Sequence, residues 1–450
     1  MRTLEFRAYP TAEQSHRLAA WLELHRRIWN YGLAMLLELA DFSAYDKASK
    51  TRVPCCPLPW SDRWQKAEEG GAWQAIPYSQ IRRHRDGWSC CPLPQDHRPP
   101  RLGGDSFMAI AAFFAKRNHP NWPELKDCPV PVIRGTVQTL ATAWSEYRSG
   151  KRDAMGRTRK VPRFKGERFP IKTLTDPDCK KTARVEGDLV TLPKLGTLRI
   201  KGNRDGRRWP ADRVVCTYRL QKEPSGWYLL LVGEVPAPAV RPTTLAVGLD
   251  AGVVHTLTTS TGRYIESPRA LEASLRKLER LQQQMARQTK GGANWKKTAA
   301  KVARLHERIR RTRKHFAHKV STFTLRTYGT VAVEKLNHDG MARRPAPKPA
   351  EDGSGAFLPN QAAAKGVLNR RLRDAGLGQI KTMLEAKAAE RGRVVIAVDP
   401  RHTSQMCSAC GHIAPENRPD QATFCCTACG FELNADHNAA RTILKRAREG

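Results

Sequence analysis

Hydrophobic and polar side chains alternate at the start of the chain. This alternation over residues 2–9 predicts a half-buried β-strand that Pro10 ends. Thr11 and Gln14 then form a capping box, which predicts the first turn of a helix. The residues expected on the buried face of this helix are Leu18, Trp21, Leu22, Ile28 and Trp29.

Between residues 42 and 130 the pattern is irregular and rich in Pro, Gly and Trp. The sequence CCPLP occurs twice there, at 55–59 and 90–94. Its cysteines are either ligands of a second metal site or parts of proline-ended loops, and we favour loops because adjacent cysteines chelate one zinc poorly. These cysteines are Cys55, Cys56, Cys90 and Cys91. A further helix is predicted by the spacing of Val137, Leu140, Trp144 and Tyr147.

The next two segments differ in character. KRDAMGRTRKVPRFKGER (151–168) is basic, and Phe164 between Arg163 and Lys165 favours a phosphate-contacting segment over a merely solvated face. Residues 184–235 then show strand patterns separated by Gly and Pro, with EPSG (223–226) as a hairpin turn. The strand patterns are LVTL, TLRI, RVVCTYRL and WYLLLVGEV, and they predict a small antiparallel barrel.

The pattern changes after PAPAVRP (236–242), which reads as a short linker. LAVGLD (245–250) predicts a buried strand, and HTLTTS (255–260) and RYIES (263–267) predict two antiparallel strands. Two runs of apolar residues at helical spacing follow, broken by GGAN (291–294), and predict a helical hairpin. The first run is Leu271, Leu275, Leu278, Leu281 and Met285; the second is Val302, Leu305, Ile309, Phe316, Val320 and Phe323.

The last part of the chain alternates strands with helices. TVAVEKLN (330–337) and RVVIAV (393–398) predict strands, and a helix is expected within 366–391. RRPAPKPAEDGSGAF (343–357) has the composition of a flexible linker, and a final helix is expected from about residue 436. The outer face of the hairpin is basic, and its candidate nucleic-acid contacts are Arg310, Arg311, Arg313 and Lys314.

The charge balance indicates a polyanionic partner. The 450 residues include 78 Lys plus Arg and 43 Asp plus Glu, which gives a net charge of +35. Nucleic acid is favoured over an anionic membrane as this partner. No apolar run reaches the roughly 18 residues of a spanning helix, and the first residues, MRTLEFRAYP, lack the apolar core of a signal peptide. We therefore expect a soluble, cytoplasmic protein without membrane partners.

Five of the twelve cysteines fall between residues 407 and 429. Two Cys-x-x-Cys pairs separated by fifteen residues have the spacing of a four-thiolate zinc ribbon, and a glycine follows each pair to make the tight turn. The predicted structural zinc ligands are Cys407, Cys410, Cys426 and Cys429. Cys425 is a spare that could replace Cys426 only by lengthening the second pair.

Three acids stand at the ends or beginnings of predicted elements: Asp250 and Glu334 in strands, and Asp436 at the last helix. The order of three strands, helix, strand, helix, strand and helix is that of a ribonuclease H-like domain. Carboxylates that converge in that fold hold two divalent cations about 4 Å apart, and these cations catalyse the hydrolysis of phosphodiesters. Hard oxygen ligands select Mg²⁺ or Mn²⁺. Asp399 also follows a strand, but Pro400 ends that strand, so we expect a turn there.

Several motifs together resemble the TnpB proteins of bacterial transposons and the compact type V CRISPR-associated effectors descended from them. DPRHTSQMCSACG (399–411), FCCTACG and NADHNAA resemble the family's C-terminal signature. LAVGLDAGV and VAVEKLN resemble its first and second RuvC motifs, FRAYPTAEQ its N-terminal strand and helix, and VPRFKG its basic middle motif. Ala435 stands where the family commonly has Arg, and the irregular region 42–130 is longer than in a plain TnpB, which favours a compact CRISPR effector.

The resemblance implies an RNA-guided DNA endonuclease with a single RuvC site. Asp250, Glu334 and Asp436 carry over as Mg²⁺-binding catalytic residues, and the four paired cysteines as ligands of structural zinc. The implied partners are a guide RNA and a double-stranded target DNA with a short flanking motif. The implied location is the prokaryotic cytoplasm, with the protein on the nucleoid when it is bound to its target. We expect one protein copy on the RNA, with a dimer as the alternative.

The expected fold class is multidomain α+β: a RuvC domain with an inserted zinc ribbon, preceded by a β-barrel wedge domain with an inserted helical recognition lobe. The expected bounds are 1–9 for the first wedge strand, 10–150 for the recognition lobe, 151–240 for the wedge barrel, 241–341 for the first RuvC part, 342–365 for a linker, 366–405 for the second RuvC part, 406–431 for the ribbon and 432–450 for the last RuvC motif.

Other functions remain open at this point. One is an RNA-guided DNA-binding protein that represses without cutting, and another is a transposase that joins strands with the same two-metal chemistry. A zinc-ribbon transcription factor would explain neither the strand-end acids nor the length. RNA that copurifies with the protein would distinguish the guided functions from the transposase.

Overall fold

A computed structural model describes residues 1–42, 64–66, 73–75, 122–153, 156–166, 169–202, 208–236, 239–252, 254–336, 338–341, 343, 345–349 and 357–449. The chain divides into two units, Met1–Val235 and Pro236–Gly450. Most of the expected recognition lobe, and both CCPLP repeats with their four cysteines, lie outside the described residues.

The first unit is built on a seven-stranded antiparallel sheet. Its strands, together with the separate hairpin β2–β3, are β1 Arg2–Tyr9, β2 Trp64–Lys66, β3 Trp73–Ala75, β4 Thr173–Asp176, β5 Arg184–Glu186, β6 Leu189–Leu192, β7 Gly196–Lys201, β8 Thr217–Glu223 and β9 Gly226–Gly233. The sheet order is β4-β8-β9-β1-β7-β6-β5, so the N-terminal strand lies at its centre. In the described residues β4 and β5 are edge strands that do not pair with each other, and hydrogen bonds therefore do not close the predicted barrel.

Two helices cover this sheet, α1 Ala12–Phe42 and α2 Val130–Arg148. The predicted capping box is confirmed: the Thr11 N–H donates to Gln14 Oε1 at 3.0 Å, and the Gln14 N–H donates to Thr11 Oγ1 at 3.2 Å. The hairpin turn after β8 is confirmed too, since Glu223 pairs with Gly226. One strand prediction began too early, because RVVCTYRL becomes a strand only at Thr217 and Val214 is exposed.

The second unit contains a mixed five-stranded sheet in the order β12-β11-β10-β13-β16. Its strands, with two separate hairpins, are β10 Ala246–Asp250, β11 Leu257–Thr259, β12 Tyr264–Ile265, β13 Thr330–Glu334, β14 Lys348–Pro349, β15 Phe357–Leu358, β16 Val394–Val398, β17 Thr423–Cys425 and β18 Glu432–Asn434. β10, β13 and β16 are parallel, whereas β11 and β12 continue antiparallel from β10. The β14–β15 hairpin lies within the predicted linker.

The helices of this unit are α3 Leu275–Ala286, α4 Ala293–Thr327, α5 His338–Met341, α6 Ala362–Ala375, α7 Leu377–Arg391 and α8 Ala435–Glu449. The helical hairpin α3–α4 is confirmed. The single helix predicted within 366–391 is wrong, because two helices meet at Gly376, whose φ of 71° is left-handed. α6 also begins inside the predicted linker. The core beneath the sheet is formed by apolar residues of β10, β13, α4 and α7.

Candidate active site and cysteine cluster

The four paired cysteines converge on one point. The sulfur atoms of Cys407, Cys410, Cys426 and Cys429 all lie within 4.8 Å of one another. Cys407 Sγ is 3.8 Å from Cys429 Sγ, and Cys410 Sγ is 3.6 Å from Cys426 Sγ. Tetrahedral zinc, with sulfur at about 2.3 Å, separates its thiolates by about 3.8 Å. The donor set and its spacing therefore fit a closed zinc site.

Both halves of the cluster use the same turn. The Gly411 N–H donates to Cys407 O and the Gly430 N–H to Cys426 O, each at 2.9 Å. Both glycines have a left-handed backbone, with φ of 85° and 70°, which a side chain would strain. The second turn lies between the strands β17 and β18, and β18 leads directly into the helix α8. Each turn is thus closed by a hydrogen bond between residues of the same half.

Cys425 lies outside the cluster. It pairs with Glu432 across the hairpin, and its thiol contacts Glu432 Oε1 at 3.6 Å. Asn417 instead joins the two halves: its buried amide donates to Gln405 O at 2.9 Å and accepts from the Thr427 N–H at 2.9 Å. The ambiguity between adjacent cysteines is therefore resolved in favour of Cys426.

Asp250 and Glu334 end neighbouring parallel strands. Leu249 of β10 pairs with Val333 of β13, so the two acids follow side by side at the carboxyl ends of these strands. Both side chains are half-buried. Thr403 donates its hydroxyl proton to Glu334 Oε1 at 2.6 Å, and it comes from the turn after β16. This sheet edge is where ligands bind in open α/β sheets.

Asp436 reaches the same edge from the first turn of α8. The side chain of Asn434 caps that turn, because its Oδ1 accepts the N–H groups of Asp436 and His437 at 3.1 and 3.2 Å. The helix lies directly on β10 at Gly248. A Cβ there would collide with the carbonyl oxygen of Ala440 and lie 2.9 Å from the Leu444 nitrogen.

The three acids lie close enough for the charge of one to affect the pKa of another. The pKa of Asp250 is raised to about 7, first by burial and then by the negative charges of Glu334 and Asp436. Burial also raises the pKa of Glu334, against the Thr403 hydrogen bond and the positive charge of Arg446. Crowded carboxylates of this kind are stabilised by a cation, and hard oxygen donors suit Mg²⁺ or Mn²⁺.

Arg418 is a site residue that the sequence did not reveal. Its Nη2 lies 3.6 Å from Asp436 Oδ1 and donates to Gln421 O at 2.9 Å. Its charge opposes the rise in the pKa of Asp250. The residue lies between the two cysteine pairs, where no periodicity marks it. The only available signal was a basic residue between two cysteine pairs, in a segment that precedes an acid.

Asp399 serves the backbone, as its turn context predicts. Its carboxylate accepts the N–H of Arg401 at 3.0 Å, and it does not contribute to the shifted pKa of Asp250 or Glu334. β16 lies beside β13, so a position at the end of a neighbouring strand does not by itself bring an aspartate into the cluster.

The candidate nucleic-acid contacts in the first unit sit on a fixed loop. Trp29 Nε1 donates to Arg163 O at 3.0 Å, and the side chain and backbone of Asn30 and Lys165 exchange hydrogen bonds at 2.6 and 2.9 Å. The Lys165 ammonium lies 4.4 Å from the Trp29 ring, and the Arg163 side chain is exposed beside Phe169. Their role in binding nucleic acid stays a prediction.

The basic residues of α4 divide into two kinds. Arg311 pairs with buried Glu307 and Arg313 with buried Asp374, each at 2.8 Å. These two arginines therefore serve the packing of the helix, and any contact with nucleic acid would be additional. Arg310 is exposed and Lys314 is half-buried, and their contacts with nucleic acid stay a prediction.

Within the part of the chain that the structure describes, no helix combines the length and the apolar character that a membrane span requires.

Three family models match the chain. One described as "Probable transposase" (OrfB of IS605) covers residues 218–344, and one described as "Cas12f1-like, TNB domain" covers residues 378–443. The third, "Helix-turn-helix domain", covers residues 1–39, where the structure has the strand β1 and one continuous helix.

Similar proteins carry nuclease names. A protein of Escherichia coli K12 named "Putative RNA-guided DNA endonuclease InsQ" is 33% identical over 322 residues, which is 71% of this chain and 75% of that protein. A "CRISPR-associated endodeoxyribonuclease Cas12f1" of Sulfoacidibacillus thermotolerans is 60% identical over 57 residues, 13% of this chain and 14% of its own. A solved Cas12f1–sgRNA–target DNA complex aligns over 98% of both chains with 16% identity and a TM-score of 0.30.

Proposed function

The chain belongs to the TnpB family, and we propose on that premise that it is an RNA-guided DNA endonuclease with one carboxylate site for phosphodiester hydrolysis. The observation that carries this function is the meeting of Asp250, Glu334 and Asp436 at one sheet edge. Two of these acids raise the pKa of the third, so they share one electrostatic environment. The mixed sheet with α8 on β10 supports a ribonuclease H-like, RuvC-type arrangement.

The three acids would hold catalytic Mg²⁺ through their carboxylate oxygens. Bound there, Mg²⁺ would supply the chemistry of two-metal nucleases, which is the activation of water and the stabilisation of the leaving oxygen. Asp250 and Glu334 approach from rigid strand ends, and Asp436 from a capped helix start. Preorganisation of this kind keeps the ligands in place without a conformational search.

Arg418 contributes a positive charge to the same place. Its guanidinium lies beside Asp436, where a DNA phosphate would have to approach the carboxylates. A guanidinium suits this task because its planar donors match phosphate oxygens. In this account Arg418 orients Asp436 before substrate binds and shares its donors with the phosphate afterwards.

The cysteine cluster would bind structural zinc. Four thiolates leave no open position for a substrate or water, so the site stabilises the fold and performs no chemistry. It lies between β16 and α8, and its integrity fixes Arg418 and the chain that leads into Asp436. In this account the ribbon also helps to bring a displaced DNA strand to the acids.

The strong basic charge serves the RNA and the heteroduplex. A net charge of +35 favours binding to phosphates irrespective of sequence. Guide pairing would then read the target sequence, and the protein would read a short flanking motif. The wedge, recognition, RuvC and ribbon assignments, with their expected bounds, are part of this proposal.

The test is a guided cleavage assay. The protein is purified with its native RNA, the RNA is sequenced, and matched and mismatched duplex DNA are incubated with Mg²⁺; the Glu334→Gln variant serves as the inactive control. Cutting of matched DNA alone, lost in the variant, is expected. RNA and matched DNA binding without cutting would favour an RNA-guided repressor, and strand joining without bound RNA would favour a transposase.

A further inference from the structure

Side chains on one face of α8 form hydrogen bonds with the backbone that leads from β16 to the first cysteine turn. Asn438, Thr442 and Arg446 follow one another at successive turns, so they form a row on the helix. Asn438 Nδ2 and Thr442 Oγ1 donate to Met406 O at 2.9 and 3.2 Å. Asn438 Oδ1 accepts the Ser408 N–H at 3.0 Å.

The last member of the row holds the start of the same segment. Arg446 Nη1 donates to the carbonyl oxygens of Asp399 and Arg401 at 2.9 and 2.6 Å. Asn438 and Thr442 are fully buried, so their polar groups depend on these partners. The segment 399–408 is thus fixed to the helix at both ends.

Thr403 lies between these anchor points and touches the site. It is buried, and its hydroxyl lies 2.6 Å from Glu334 Oε1 and 3.0 Å from Pro400 O. A hydroxyl has one proton, and the carboxylate is the nearer and the charged acceptor, so Glu334 takes it. This is the one side-chain hydrogen bond that Glu334 makes within the described residues.

We propose that Thr403 is the positioning residue of Glu334, and that the row Asn438, Thr442 and Arg446 holds it in place. The helix that carries Asp436 would then also set the orientation of the second carboxylate. Glu334 has three rotatable bonds, and fixing one oxygen directs the other toward the shared cation site. This inference rests on the proposed function, because it concerns the same carboxylates.

The experiment compares two substitutions at one position in the complete protein–RNA complex. Thr403→Val keeps the shape and removes the hydroxyl, whereas Thr403→Ser keeps the hydroxyl. Thr382→Val, which removes an exposed hydroxyl bonded within α7, is the matched control. For each protein we would measure Mn²⁺ binding by electron paramagnetic resonance, the Mg²⁺ dependence of cleavage, zinc content and the melting temperature.

Loss of an outer hydrogen bond to a metal ligand typically weakens metal binding by about tenfold. We expect Thr403→Val to show this loss for Mn²⁺ and a matching rise in the Mg²⁺ needed for cleavage, with zinc unchanged. Thr403→Ser and the control Thr382→Val should both show a Mn²⁺ affinity and a Mg²⁺ dependence of cleavage within about twofold of the wild type.

Either of two results would overturn the inference: wild-type Mn²⁺ affinity in Thr403→Val, or an equal defect in Thr403→Ser, which would indicate packing. Mn²⁺ binding needs no cleavage. If the wild type binds Mn²⁺ but never cuts DNA, the proposed function fails while the positioning role of Thr403 is still decided.

Discussion

The two candidate metal centres of the second unit are assembled in opposite ways. The cysteine cluster comes from residues 407–429, and each half is a short turn with its own backbone hydrogen bond. The acid cluster joins residues 250, 334 and 436, which only the tertiary fold brings together. A local site depends on spacing, whereas an assembled site depends on every element that packs beneath it.

The two centres also differ in what they contribute to stability. Two of the four cysteines are buried and two are exposed, and zinc bound to their thiolates would stabilise the folded state. The carboxylates repel one another, and burial adds to this cost in the absence of a cation. The cysteines should therefore be needed for folding, whereas the acids should cost stability and serve function.

Removal of one acid should have the most severe consequence, which is the loss of cleavage. Asp250→Asn keeps the shape of the side chain but removes a charged ligand, so guided cleavage should fall by about 10³-fold or more. The rate is measured with matched duplex DNA at saturating Mg²⁺. Asp399→Asn is the control, because that side chain caps a turn and Asn also accepts the hydrogen bond. Asp250→Asn cleaving within tenfold of wild type would separate Asp250 from the site.

Adjacent cysteines provide the next test. Cys426→Ser should release the zinc, lower the melting temperature and reduce cleavage by about 10–100-fold, because Arg418 and Asp436 lose their support. Cys425→Ser should retain the zinc and the activity, since that thiol contacts Glu432 outside the cluster. Zinc content, melting temperature and cleavage are measured on both proteins. Full cleavage by zinc-free Cys426→Ser would show that the two centres are independent.

Gly248 tests whether the acid cluster depends on packing. A Cβ at this position would collide with α8, so Gly248→Ala should shift the helix and Asp436 and lower cleavage by about tenfold. Zinc content should not change. Gly366→Ala is the control, since a Cβ there meets no atom within 4 Å. The comparison is made by cleavage rate and zinc analysis, and equal activity in both variants would contradict the packing argument.

The last and weakest consequence concerns the free energy of unfolding, which the crowded acids lower in the absence of a cation. The pKa of Asp250 is about 7 in the folded protein, above its ordinary 3.8. Between these values the folded chain binds a proton that the unfolded chain lacks. The stabilisation of the folded state by this proton is therefore complete below pH 4 and is lost as the pH rises through 7. Without Mg²⁺, Asp250→Asn should be more stable than wild type at pH 8 by about 1–3 kcal/mol, and the difference should shrink toward pH 4.

Denaturant unfolding at several pH values checks this difference, in buffer that leaves the zinc bound. A variant that is less stable than wild type at pH 8 would show that the acids support the fold and are not repelling one another.

The same contrast explains what the sequence could predict. The cysteine cluster could be predicted because a zinc site requires a fixed spacing and glycine turns, both of which are visible in the local sequence. The strand-end acids could be predicted because apolar runs ended in Asp250 and Glu334. Arg418 and Thr403 were missed as site residues, since they lie in irregular segments and reach the acids only through tertiary packing.

Secondary structure shows the same limit. The capping box, the hairpin turn and the helical hairpin were predicted because each follows from neighbouring residues. The break at Gly376 was missed because the helical pattern continues across it, while only the left-handed backbone separates α6 from α7. The start of β8 was missed because Val214 has strand propensity but no partner strand.

If the acids form a cation site that is separate from the thiolate site, substitution of one acid should weaken the binding of one metal and leave the other in place. Zinc is quantified by atomic emission and Mn²⁺ binding by electron paramagnetic resonance, on wild type and Asp250→Asn prepared in parallel. We predict about one zinc per chain in both proteins and Mn²⁺ binding that is at least about tenfold weaker in the variant. Equal Mn²⁺ binding by the two proteins would contradict the claim that these three carboxylates hold the catalytic cation.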